Sequence, residues 1–210
     1  MSSKIILVGY SGHAFVVADC IARSEYEIIG YCDTVEKIEN PFNFTYLGKE
    51  TEEKLFSFFE NHLLFLSIGD NRIREKIYLK LTERIKARFC NVIDLSATIS
   101  SLTKIGEAVF IAPNVSINAL ASIGNGVICN TGAIIEHECK IDDFAHIAPG
   151  ATLAGNVTIG KRTFIGANAV VKQGIIIGDD VTVGAGSVII KNISDGKTVV
   201  GNPQRLLYKS

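Results

Sequence analysis

From Ile93 onward the chain keeps a period of six that never slips. Every sixth residue, through Ile99, Ile105, Ile111 and on to Ile177, Val183 and Ile189, is aliphatic except Cys129, and seventeen consecutive hexads share the register. Side chains of an α-helix recur at about 3.6 residues and those of a strand at about 2, so neither element carries this pattern. A hexapeptide β-helix does, because each hexad makes one side of a triangular coil and its aliphatic residue fills the axis. Position two is often glycine (Gly106, Gly124, Gly160, Gly166, Gly178, Gly184), expected to relieve the backbone where it bends. Position five is always small or β-branched, as the corners require. Three hexads make a coil, so the repeats give between five and six coils, a prism roughly 25 to 30 Å tall at about 4.8 Å per coil. The tail leaves the register at about Ser194 and is expected to cap the last coil, whose open edge would otherwise recruit another chain.

The residues before this repeat alternate strand and helix signals. "KIILVGY", "YEIIGYCD", "HLLFLSIGD" and "RFCNVID" are short apolar runs, separated by helical spacing in "HAFVVADCIAR", at Glu50 to Asn61 and in "NRIREKIYLKLTERIKA". That order predicts a small parallel sheet covered by helices. The expected organisation is an α/β, Rossmann-like domain over residues 1–90 followed by a left-handed parallel β-helix with its cap over residues 91–210.

Composition narrows the partners. A formal charge of -1 with both signs interspersed leaves no footprint for nucleic acid. No stretch approaches the roughly 18 apolar residues of a membrane span, and the start "MSSKIILVGYSGH" lacks a signal-peptide pattern, so no membrane insertion and a cytoplasmic address are expected. The cysteines (Cys20, Cys32, Cys90, Cys129, Cys139) are odd in number and without CxxC spacing, which suits reduced structural thiols.

"NTGAIIEHECKIDDFAHIAPGATLAGN" concentrates the chemistry. His137 stands at position three of its hexad, outside the axis and corner columns, so packing does not explain it. A neutral imidazole there can act as general base, oriented by Glu138 or Glu136. Gly155 occupies the same position one coil on, where a backbone N–H can support an oxyanion. His146 lies half a hexad out of phase with His137, so a site using both is expected where neighbouring subunits meet. Ala167 and Ala185 form a second stack on another side of the prism. In the first half, "VGYSGHA" follows a strand and opens a helix, an arrangement that presents backbone N–H groups to a phosphate. Gly9 and Gly12 are present without the full dinucleotide fingerprint. Asp33, ending the next strand, is placed to take a ribose hydroxyl.

Together "VGYSGHA", "GYCD", "SIGDNRIREKI", "IEHECKIDDFAHIAPGATLAGNVTIG" and "VVGNPQR" resemble the bacterial sugar O-/N-acyltransferase family, most closely the UDP-4-amino-sugar N-acetyltransferase of bacillosamine synthesis. The family also holds perosamine N-acetyltransferases and sialic acid O-acetyltransferases. The resemblance implies a homotrimer that takes acetyl-CoA as co-substrate between subunits, uses no metal and binds a nucleotide sugar in its N-terminal domain. It implies His137 as general base with Glu138 enhancing its basicity, and His146, Gly155, Ala167 and Ala185 as acetyl-CoA contacts. It likewise implies Ser11, Gly12, His13, Asp33 and Gly69 as nucleotide-sugar contacts. The chain departs from the pattern at Thr34, where the bacillosamine-type enzymes often carry a second Asp.

Three rival functions follow from the same residues. O-acetylation of a sialic acid would use the same donor and base, but not the nucleotide contacts. A trimeric zinc hydratase would need about three histidines around the ion, and the repeats hold only His137 and His146. A non-catalytic scaffold would have no use for a histidine outside its packing columns.

Overall fold

The N-terminal strands and helices follow the alternation read from the sequence. The structure is a computed structural model and describes residues 3–207; residues 1–2 and 208–210 of the expected domains lie outside the described residues. Strands β1 (Ser3–Val8), β2 (Tyr26–Cys32), β3 (Tyr46–Gly48), β4 (Leu63–Leu66) and β5 (Arg88–Phe89) form one sheet in the order β3-β2-β1-β4-β5. All neighbours run parallel. Helix α1 (Gly12–Ala22) packs on the side carrying Ile5 and Leu7, while α2 (Phe56–Glu60) and α3 (Asn71–Arg84) pack on the side carrying Ile6 and Val8. Burial on both faces is why β1 reads as an unbroken apolar run instead of an alternation. Two details differ from the sequence reading. β3 was not expected, and the helical spacing at Glu50 to Asn61 becomes a 3-10 turn, Glu53–Leu55, followed only by the short α2.

After β5 the chain enters a left-handed parallel β-helix. Face I carries strands from Val92–Ile93 to Thr182–Val183, face II from Thr98–Ile99 to Val188–Ile189, and face III from Lys104–Ile105 to Ile176–Ile177. Each strand pairs in parallel with those one coil away, so that His146 lies between Ile128 and Phe164. From Ile111 to Ile189 the axis column is at most 3% exposed. Fully burying such an aliphatic side chain stabilises by roughly 1.5 to 3 kcal/mol. Ile93 is 39% exposed because the first coil has no coil beneath it.

The bend is not made where the glycines of position two suggested. Position four makes it: in every hexad from the one holding Ala108 to the one holding Gly186, that residue has φ between 54° and 72°. Asn114, Glu138, Phe144 and Arg162 all adopt this left-handed conformation, which costs a non-glycine residue roughly 1 to 2 kcal/mol. The position-two glycines serve another purpose. At the corners between faces III and I, an Asn or Asp from the coil above folds its side chain down to accept a backbone N–H. Asn125 accepts from Glu107, Asp143 from Asn125, Asp179 from Lys161 and Asp195 from Asp179. Those side chains occupy the space a Cβ would need at Gly106, Gly124, Gly160 and Gly178. The exception fits the rule, because the corner above Asp142 presents Lys161 and no short acceptor, and Asp142 is not glycine.

The tail closes the top of the prism, as expected, although the register shortens before Ser194. Ile193 bridges Ile177 and the strand Thr198–Val200 pairs with Thr182–Val183, both two residues short of a full coil. Arg205–Leu206 then adds an antiparallel strand. The Gln204 amide spans the free edge of face II, accepting from Ile190 and Lys191 and donating to the Lys191 carbonyl.

The N-terminal domain docks on face I. Outward-facing Phe110 and Ile128, 0% and 1% exposed, join one apolar core with Ala14, Val17 and Phe65. Arg74 of α3 crosses the junction with no part exposed. Its Nε donates to the Gly126 carbonyl, Nη1 to those of Ile68 and Gly69, and Nη2 to the Phe144 carbonyl and Asn71 Oδ1. Burial lowers its pKa to about 9, so the guanidinium stays charged at neutral pH. Nearer the rim, Arg162 pairs with Glu75 and Asp180, and Arg72 with Asp180.

The two kinds of glycine predict different costs. In Gly124→Ala the new Cβ would stand 2.7 Å from Asp143 N and Oδ1, and the fixed coil spacing leaves no room to relax, so a loss of about 2 kcal/mol or more is expected. Gly132→Ala meets no atom within 4 Å and carries only the strain of φ +67°, about 1 kcal/mol. Denaturant melts of the two variants check the ranking.

Candidate active site

His137 sits on a corner between faces II and III, immediately before the left-handed residue Glu138. That conformation turns the Glu138 side chain back, and its Oε2 lies 3.0 Å from His137 Nδ1. Glu136 is engaged elsewhere, accepting from Asn118 Nδ2 at 2.9 Å. Of the two carboxylates left open by the sequence, Glu138 is therefore the one paired with the imidazole. The pairing fixes Nδ1 as the protonated nitrogen in the neutral ring and leaves Nε2 free to accept a proton. Both side chains are open to solvent, at 52% and 56% exposure.

The imidazole lies flat over Gly155. A Cβ at Gly155 would fall 2.5 Å from His137 Cε1 and 2.6 Å from Nε2. Among the described residues the Gly155 N–H has no hydrogen-bond partner, while its carbonyl accepts from Gly174. A bare N–H thus stands beside a basic nitrogen. Cys139 is not a competing nucleophile: it is fully buried, donates to the Ala154 carbonyl and has its pKa raised by burial. Cys129 is pushed up to about 12 by burial alone.

A second site lies at the C-terminal edge of the N-terminal sheet. A cavity of about 370 Å³ is bounded by the turn Gly9 to Ser11, by Asp33, Thr34 and Lys37 after β2, by Glu50 after β3, and by Ser67, Ile68, Gly69 and Asp70 after β4. Ile73 and Ile77 of α3 complete one wall. Gly9 holds φ +93° and leaves no space for a side chain against Ile68. Ser11 precedes α1 in extended conformation, and its side chain caps no helix N–H. Burial opposes ionisation of Asp33, yet hydrogen bonds from the Tyr10 N–H, Lys37 and Thr34 outweigh it and hold the carboxyl below its ordinary range.

The expected contact residues divide among these places. Ser11, Asp33 and Gly69 line the cavity, whereas Gly12 stands beside it at the helix start. His13 points away from the cavity, toward the β-helix, with its ring 5.3 Å from Phe110 and 6.4 Å from His146. His146 is 8% exposed on face I, and its Nε2 lies 3.2 Å from Asn130 Nδ2. Among the described residues, His13 Nε2 and His146 Nδ1 are buried without a hydrogen-bond partner. Ala167 and Ala185 stack on the corner between faces I and II, with Gly186 donating to the Ala167 carbonyl. One chain therefore brings His137 to Gly155 and Ala167 to Ala185, but it leaves these pairs and His146 on separate corners and faces. Among the described residues no group of three or more His, Cys, Asp or Glu is gathered to hold a metal ion.

Residues 4–81 match the family model of the PglD N-terminal domain, and residues 156–191 that of the hexapeptide repeat of succinyl-transferase. The acetyltransferase domain of PglB from Neisseria gonorrhoeae, solved with acetyl coenzyme A, is 33% identical, with a TM-score of 0.91 over 99% of this chain and 100% of that one. The chain belongs to the hexapeptide-repeat sugar acyltransferases of the bacillosamine type. A perosamine N-acetyltransferase from Caulobacter crescentus, solved with CoA and GDP-perosamine, is 29% identical with a TM-score of 0.92, covering 100% of this chain and 99% of that one. WeeI from Acinetobacter baumannii is 26% identical with a TM-score of 0.85, covering 98% and 100%.

In this acyltransferase several site residues were absent from the sequence reading. Lys37, Glu50, Asp70, Ile73 and Ile77 reach the cavity from loops and a helix that no motif marks. Asn130 and Arg74 could not be paired with His146 and the domain junction without the fold.

Two expectations follow. Gly155→Ala forces the His137 ring from its seat while leaving the axis untouched, so activity falls at least about tenfold with little change in melting temperature. Steady-state kinetics alongside thermal melts separate the two effects. The second concerns pH. Burial, reinforced by the Arg74 charge, lowers His13 to about 4 and His146 to about 3 from 6.5. Both folded-state values lie below the unfolded one, so their stabilisation is complete above about pH 6.5 and is lost as pH falls toward 4. Each unit costs up to about 1.4 kcal/mol per group. The melting temperature should drop between pH 7 and pH 4.5, and His146→Asn should flatten that slope.

Proposed function

We propose that this acetyl-CoA-dependent sugar acetyltransferase moves acetyl to the 4-amino group of a nucleotide-linked amino-deoxy sugar, of the UDP-4-amino-4,6-dideoxy-N-acetylglucosamine type. The observation that carries the reading is the His137–Glu138 pair, 3.0 Å apart, lying over a glycine whose N–H is unpartnered. The relatives solved with acetyl coenzyme A, and with CoA and GDP-perosamine, support donor and acceptor class.

The sugar amine attacks the thioester carbonyl directly. His137 Nε2 takes a proton from the attacking nitrogen, and the Glu138 carboxylate at Nδ1 stabilises the imidazolium that forms. The Gly155 N–H supports the tetrahedral oxyanion, an interaction worth roughly 3 to 4 kcal/mol where such donors have been removed. Collapse breaks the C–S bond, and the CoA thiolate recovers the proton from His137. No covalent enzyme intermediate is required, and the buried thiols supply none.

The nucleotide sugar occupies the cavity, with its phosphates toward the turn at Ser11 and Gly12, its ribose at Asp33, and Gly69 and His13 near the sugar. Acetyl-CoA contacts His146, Gly155, Ala167 and Ala185. Because one chain keeps these on different corners, the donor site is completed in a homotrimer, where a face of one copy meets a corner of the next.

Free-thiol release from acetyl-CoA, measured with UDP- and GDP-linked 4-amino sugars and with free sialic acid, tests the proposal. Turnover is expected with a nucleotide-linked amino sugar, and His137→Ala should lower kcat by about 10²- to 10⁴-fold. Unchanged turnover in that variant, or acetylation of sialic acid alone, would reject it.

A further inference from the structure

The cavity holds one acid that the reading above leaves without a task. Glu50 follows β3 and is 7% exposed, yet among the described residues its carboxylate has no hydrogen bond or ion pair. The lysines that might neutralise it are engaged elsewhere, Lys37 with Asp33 at 3.1 Å and Lys54 with Glu52 at 2.7 Å. Its carboxylate oxygens are not sealed by the protein, so they are acceptors open to whatever fills the cavity. The surroundings indicate what that is. The same cavity presents the flat apolar side of Ile68, Ile73 and Ile77, and Asp33 enters it one strand away, with the Asp33 N–H bonded to the Gly48 carbonyl at the end of β3.

We infer that Glu50 is a specificity-determining residue that accepts N–H donors from the nucleobase edge of the bound nucleotide sugar. This rests on the cavity being the nucleotide site. An ionised carboxylate offers acceptors only, so it suits the imide N3–H of uracil and, with both oxygens used, the N1–H and N2–H₂ of guanine. Adenine and cytosine each set a ring-nitrogen acceptor beside their amino group and would meet the carboxylate lone pair to lone pair. The cavity therefore selects UDP- or GDP-linked sugars against ADP- and CDP-linked ones.

Calorimetric titration of the full chain with UDP, GDP, CDP and ADP tests this. The wild type is expected to bind UDP and GDP at least about tenfold more tightly than CDP and ADP, the scale set by leaving a buried polar group unpaired. Glu50→Gln presents one donor and one acceptor in the same volume, so it should weaken GDP, whose N1–H and N2–H₂ need two acceptors, and strengthen CDP and ADP, while UDP, whose N3–H stands beside a carbonyl, keeps its pairing. Equal binding of the four by the wild type, or an unchanged ranking in Glu50→Gln, overturns the inference. If that variant melts early, Glu50→Asp gives the second reading: it keeps the acceptor but withdraws it by one methylene, so UDP and GDP weaken while the base ranking holds. Loss of ranking in Glu50→Asp also counts against the role. Failure here is separable from failure of the acetyl-transfer reading. Acetylation of a nucleotide-linked amino sugar without base preference removes Glu50 alone, whereas base preference without acetylation leaves Glu50 in place and removes the reaction.

Discussion

The structure depends on parallel stacking at one fixed interval, which sets each residue directly over its counterpart one coil below. Backbone hydrogen bonds hold that interval at about 4.8 Å, and whatever one coil projects at a corner must fit what the next leaves open. The rule explains the glycines beneath Asn125, Asp143 and Asp179, each yielding space to a side chain that bonds a backbone N–H below. It also makes the corner that holds His137. His137 has a seat only because the residue stacked against its ring is Gly155. The arrangement that elsewhere accommodates a structural acceptor here accommodates an imidazole, over a glycine whose N–H has no partner among the described residues.

Docking of the α/β domain determines what the other histidines can do. Face I, solvated in an isolated prism, is covered, and so the outward-facing Phe110, Ile128 and His146 become interior residues. The buried Arg74 guanidinium ties the floor of the N-terminal cavity, at Ile68 and Gly69, to the coil carbonyls of Gly126 and Phe144. A charge placed there with neutral oxygen partners has a field that reaches its neighbours, and His13 and His146 are held neutral by burial and by that field together. The junction thus holds an unneutralised positive charge at its centre. Its rim is charge-balanced instead, with Arg162 and Arg72 paired to Glu75 and Asp180 at partly exposed positions, where each pair is worth less.

How much of this was legible in the sequence follows from whether a feature is periodic or local. The prism, its axis column and the exposure of His137 were readable because a period of six places every residue relative to every other. The bend was assigned to the wrong column, since glycine abundance marks where a Cβ cannot fit, not only where φ is positive. Leu120, Glu138 and Phe144 adopt the left-handed turn without the glycine or asparagine that usually marks it. The α/β domain was readable as strand and helix order but not as a pocket, because the walls formed by Glu50, Ile73 and Ile77 meet only through the topology β3-β2-β1-β4-β5. The choice between Glu136 and Glu138 was likewise beyond the sequence, as both flank His137. It turns on the positive φ of Glu138, which aims that carboxylate back at Nδ1, and on Asn118 one coil away, which occupies the other.

The three histidines at these sites show how one fold produces two kinds of imidazole. His13 is partly and His146 almost wholly enclosed at the domain junction, and burial depresses both pKa values, so they stay neutral and are poor acceptors of a proton at neutral pH. His137 stands on an exposed corner, open to water, with the Glu138 carboxylate 3.0 Å from its Nδ1. A base for acyl transfer must be charged part-way through each turnover and neutral again at its end, so it belongs where charging costs little. The solvent-facing corner fits the proton-transfer role proposed for His137, and the domain junction, closed around His146, does not.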